Sequence, residues 1–149
     1  MKKAAKNGDV LLAMHNHARS QYPIPSPKDI HEIISSTKPD YGLVDTRGNG
    51  IGAITNNPDL TYKESKHLMS KVHDFKKDMR NDFERREIKY LQDEKNKIMG
   101  KYYNEKIIKK EIKKMEDEAF NRYKFKYIDE YSDKLNSILS KYGMEFNII

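Results

Sequence analysis

Thr61-Tyr62-Lys63-Glu64-Ser65-Lys66-His67-Leu68-Met69-Ser70-Lys71-Val72-His73-Asp74-Phe75-Lys76-Lys77-Asp78-Met79 is the stretch that decides the architecture. It opens on a capping-box pattern, Thr61-x-x-Glu64, in which the threonine hydroxyl and the glutamate carboxylate each satisfy a backbone N–H of the first turn. Leu68, Val72, Phe75, Met79 and Phe83 then recur at spacings of 4, 3, 4 and 4, the signature of one apolar stripe on an α-helix. The stripe continues less regularly through Leu91 and Ile98, and Gly100 is the obvious break. Beyond it Ile108, Ile112, Met115, Ala119, Tyr123, Tyr127, Tyr131, Leu135, Ile138 and Tyr142 repeat every three or four residues until Gly143, a natural C-cap.

Two amphipathic helices of nearly forty residues, each about 55 to 60 Å long at 1.5 Å per residue, are expected to pair as a helical hairpin or coiled coil over 61–149. That is more apolar stripe than a small remainder of the chain can cover. A protein partner docked along the helices, or self-association, is therefore expected. The tyrosines Tyr102, Tyr103, Tyr123, Tyr127 and Tyr131 read as seam residues with their hydroxyls in water, and alternatively as a stacking platform for single-stranded nucleic acid. His67 and His73 are six apart and do not share a face, so both read as surface residues.

The segment before Thr61 follows a different grammar. Val10 to His15 reads as a strand, and His15 and His17 at i and i+2 on an extended chain point to the same side. After the prolines Pro23 and Pro25, Ser26-Pro27-Lys28-Asp29 reads as a helix start, with Ser26 as N-cap, Pro27 at the first helical position and Asp29 at the third. Ile30, Ile33 and Ile34 supply the apolar face of a short helix to about residue 36, and His31 falls off that face. Tyr41 to Thr46 and Ile51 to Thr55, separated by Arg47-Gly48-Asn49-Gly50, read as a β-hairpin rather than a phosphate cradle, since no Lys-Ser/Thr follows the glycines. The fold class is thus α+β: a small strand–helix–hairpin unit over 1–60, then the long helices.

His15-x-His17, a loop, then Ser26-x-x-Asp29 resembles the metal-binding motif of the JAMM (JAB/MPN) metal-dependent hydrolases, including their RadC-like members. It is similar also to the degenerate JAMM-like segment of some tailed-phage minor head or head-morphogenesis proteins. The resemblance spans roughly residues 8 to 56. It implies zinc held by His15, His17 and Asp29, with Ser26 in the catalytic role of steadying the oxyanion while metal-bound water attacks a peptide or isopeptide amide. The family's general-base glutamate has no counterpart in residues 1–14; Glu32, one turn past Asp29, is the only local substitute. The same resemblance implies phage head components as partners and a bacterial cytoplasmic or virion-associated location. Read without it, Ser26 and Asp29 form a plain capping box and the histidines end a strand.

Composition narrows the rest. The chain has 149 residues, 35% charged and 36% hydrophobic, and no cysteine, which excludes disulfides and thiolate metal sites. No apolar run approaches the ~20 residues of a membrane span, so no membrane partner is expected. The formal net charge is +6; residues 61–149 hold 22 basic and 17 acidic side chains, interleaved along the sequence, which reads as a solvated face and secondarily as a nucleic-acid contact.

Overall fold

A computed structural model describes residues 12–16, 23–34, 41–45 and 50–149, with the side chains of 12–16, 41 and 43–45 excepted. In chain order the elements are β1 (Leu12–Asn16), α1 (Pro27–Ile34), β2 (Tyr41–Asp45), β3 (Ile51–Thr55), α2 (Tyr62–Arg86), α3 (Ile88–Lys101), α4 (Glu105–Lys126), α5 (Ile128–Ser140) and β4 (Glu145–Ile148). The class is α+β, as the sequence indicates.

The strands form one sheet in the order β1-β2-β3-β4. β1 pairs parallel to β2, with Met14 opposite Leu43 and Asn16 opposite Asp45. The expected hairpin is present, β2 and β3 pairing antiparallel with Leu43 opposite Ala53. β4 is the element that sequence reading misses: it leaves the helical segment and pairs antiparallel with β3, Phe146 opposite Ile54. Two glycines let neighbours approach the sheet closely. A Cβ on Gly42 would run into the Ile33 side chain, and one on Gly52 into the Pro23 carbonyl oxygen.

The expected pair of forty-residue helices is present as two bent arms. α2 and α3 form one, α4 and α5 the other, and a turn at Tyr102–Asn104 joins them. Gly100 is not the break; it lies within α3 with open space around it. The turn is set instead by Asn104, whose side chain accepts from the N–H groups of Lys106 (2.9 Å) and Ile107 (3.3 Å) as N-cap of α4. Each arm bends at one residue, Glu87 and Tyr127, without losing the i→i−4 bonds on either side. Neither bend has a glycine or proline. Arg86 spans them, its guanidinium 4.8 Å from the Tyr127 ring and paired at both nitrogens with Glu130, at 3.1 and 3.2 Å.

The Thr61–Glu64 capping box is formed as read, each partner at 3.1 Å. All five stripe residues of α2, Leu68 through Phe83, are buried. In α5 the buried positions are Tyr131, Leu135 and Leu139, so the stripe turns onto Leu139 rather than continuing through the half-buried Ile138 and Tyr142. At the end of α5 the Gly143 N–H bonds to the Ser140 carbonyl and the Met144 N–H to Leu139, with Gly143 at φ 71°, which is a Schellman cap.

Adjacent asparagines tie the two halves together. Asn56 Nδ2 donates to the Ile33 carbonyl at the end of α1 (3.1 Å), and Asn57 Nδ2 to the Tyr142 carbonyl at the end of α5 (3.0 Å). One hydrophobic core runs from Ile24 and Ile30 beside the sheet up to Leu91 and Ala119 in the hairpin.

Candidate functional site

Ser26 and Asp29 lie where the sequence puts them, at the start of α1. The Asp29 N–H donates to Ser26 Oγ at 3.2 Å, and the Ser26 N–H donates to Asp29 Oδ2 at 2.9 Å. This is the capping box, and it leaves Asp29 only 4% exposed. His17 and the side chain of His15 lie outside the described residues. Parallel pairing of β1 and β2 through α1 means the helix runs back against the strands, so its first turn sits at the end of the sheet where β1 finishes. His31, His67 and His73 are exposed, as expected from their positions. Among the described residues no three His, Asp or Glu side chains gather as a metal site would require. A cleft of about 500 Å³ between α1 and the start of α2 offers His31, Ser65 and Lys66 but no carboxylate.

The middle of the hairpin is a packed aromatic waist. Phe83 is fully buried, with Phe120 and Tyr123 ring centroids at 4.9 and 5.3 Å. Arg80 lies over the Phe83 and Phe120 rings at 5.3 and 4.8 Å, a cation–π arrangement. The Tyr123 and Tyr131 hydroxyls meet each other at 2.7 Å, and Tyr131 donates on to Asp82 at 3.3 Å. The expectation of wet hydroxyls is thus corrected for these two: they are buried, and each supplies the other's hydrogen bond. Burial, then the Tyr123 bond, pushes the Tyr131 hydroxyl well above the usual phenol range, so it stays protonated and structural. Burial, then the nearby Lys76 and Arg80 charges, lowers the Lys124 ammonium.

The outer third of the hairpin is different. From Gln92 to Glu118 no residue is buried. Ile98, Tyr102, Ile108, Ile112 and Met115 are half-covered, and Ile98 and Met115 share a groove between α3 and α4. Met99 is 58% exposed, Ile107 44%, and Tyr103 stands entirely in solvent at the turn. Charge is concentrated here as well. Residues 95–114 hold eight lysines, no arginine, and the two acids Glu105 and Glu111, which makes +6; the remainder of the chain balances 21 basic against 21 acidic side chains. The interleaving seen when the sequence is divided into halves conceals this segregation.

No family model, no curated protein and no solved structure matches the chain. Among the described residues no helix is long and apolar enough to cross a membrane.

Proposed function

We propose that the protein is a non-enzymatic docking module in which the sheet and α1 form a head and the hairpin carries the contact surface at its outer end. The observation behind this reading is the unburied stretch Gln92–Glu118, where two helices expose a half-covered seam and three large apolar side chains. Helices in water owe most of their stability to packing, so a long arm with no buried residue is completed by something else. A photo-crosslinking residue at Tyr103 or Ile107 in living cells is expected to capture a partner that the same residue at exposed His31 does not. Capture at His31 with none at the turn would reverse the assignment of head and arm.

A second reading, a JAMM-like zinc site at His15, His17 and Asp29 that acts on a phage-head or other amide substrate, draws support from the β1–α1–β2 topology. That path brings the end of β1 and the first turn of α1 to one end of the sheet. Its ligands would be the two imidazoles and a carboxylate that already caps α1. Metal analysis of untagged protein after zinc loading is the test. About one zinc per chain, lost in His15→Ala and His17→Ala, is expected of a working site; retention of none removes this reading and leaves the docking module untouched.

A further inference from the structure

From the charge and geometry of α4 we infer that the outer arm binds the phosphate backbone of nucleic acid, through a lysine face formed by Lys106, Lys109, Lys110, Lys113 and Lys114. This rests on the docking reading above and names its partner. The five lysines fall at i, i+3, i+4, i+7 and i+8, one face of a helix, and all are exposed. They cover about 12 Å of helix length. Only Lys113 has a carboxylate partner among the described residues, Asp117 at 3.0 Å. Among the described residues the others have no ion pair to give up when they meet a polyanion. Duplex DNA carries one phosphate per ~1.7 Å of axis, and its major groove, about 12 Å wide, admits one α-helix.

Two other occupants fit less well. A second copy of the arm would bring +6 against +6, which opposes association through this face. A membrane-surface helix needs a broad apolar face open to lipid beside its lysines, but Ile108, Ile112 and Met115 of α4 are half-covered. The exposed apolar group at the turn includes Tyr103, whose ring is open for stacking on an unpaired base. Lysine without arginine suits contact with phosphate as point charges rather than reading of base edges.

The test is fluorescence anisotropy of the full chain with labelled 20-mer duplex and single-stranded oligonucleotides across a salt series. Lys106→Gln, Lys109→Gln, Lys110→Gln, Lys113→Gln and Lys114→Gln are combined in one variant. A matched variant carries Gln at Lys63, Lys66, Lys71, Lys77 and Lys141, which removes the same charge from elsewhere. Gln and Lys have similar helix propensities, and circular dichroism checks that both variants fold. Wild type and the matched variant are expected to bind with log K falling against log salt at a slope near −4.5, about 0.9 per phosphate contact. The α4 variant is expected to lose roughly a hundredfold in affinity at low salt and most of that slope. Tyr103→Ala is expected to weaken single strands roughly tenfold and duplex little.

Equal losses in both five-lysine variants would overturn the inference, since net charge alone would then account for binding. Binding to vesicles containing phosphatidylserine with none to either oligonucleotide would overturn it in favour of a membrane. A nuclease-resistant protein crosslink at Tyr103 with no oligonucleotide binding would overturn it while leaving the docking module standing.

Discussion

Phe83→Ala is expected to cost about 3 to 5 kcal/mol of folding stability, the range for removing a buried phenylalanine from a packed site. The ring has no exposed surface, touches Phe120 and Tyr123 at centroid distances of 4.9 and 5.3 Å, and supports the Arg80 guanidinium at 5.3 Å. The cavity would open between two arms held together nearby by the Arg86–Glu130 pair and the Tyr131–Asp82 bond, which limits collapse. For a chain of this size the melting temperature should fall by roughly 10 °C or more. Urea denaturation checks it: the midpoint moves and the slope does not. A loss under about 1 kcal/mol would mean that the waist is not a packed core.

Gly52→Ala is expected to be nearly as damaging, by an opposite route. The added methyl would collide with the Pro23 carbonyl oxygen and reach Phe146 Cε1 at 2.9 Å. A side chain can rotate away, but a backbone carbonyl moves only with its segment. The loop leading into α1 would have to lift from β3, or β3 would have to part from β4. Overpacking of this kind costs about 1 to 3 kcal/mol and more where backbone must shift. Gly100→Ala is the internal control. Its Cβ meets nothing within 4 Å and the residue lies in α3, so alanine there should stabilise the protein by roughly 0.5 to 1 kcal/mol. Thermal melts of the two variants in parallel should move in opposite directions; equal shifts would contradict the packing around Gly52.

The parts of this fold legible in sequence are those whose signal is periodic or local. Leu68, Val72, Phe75, Met79 and Phe83 repeat at the helical period and are all buried. Thr61 and Glu64 form their capping box because both partners lie within four residues. The illegible parts depend on residues far apart in the chain. Glu145–Ile148 is too short for a strand pattern of its own and is a strand through its pairing with the distant β3. Glu87 and Tyr127 carry no breaker signal, yet both leave the helical dihedrals, at φ −106°, ψ 15° and φ −112°, ψ 28°. Gly100 misleads because an isolated glycine is tolerated inside a helix, while Asn104 marks the real turn by capping. At the candidate site, Ser26 and Asp29 read as a helix start and form its capping box, because both partners lie within four residues. The lysine face of α4 is visible only when charge is counted over the length of the arm.

The junction of β3 and β4 bears on the route to the folded state. Thr55 pairs with Glu145, about ninety residues later. Closing a flexible loop of that length costs about 4 kcal/mol in chain entropy. Nearly all of the intervening chain is the hairpin, whose contacts along each helix are local and form early at little entropic cost. Once its arms pair, the ends at Asn57 and Tyr142 already sit together, and β4 needs to find β3 across only a few residues. The hairpin is therefore the element that makes a sheet between distant strands kinetically accessible. Lengthening the chain at Tyr102–Asn104 should leave folding rates nearly unchanged, whereas loosening the waist should slow closure of the sheet.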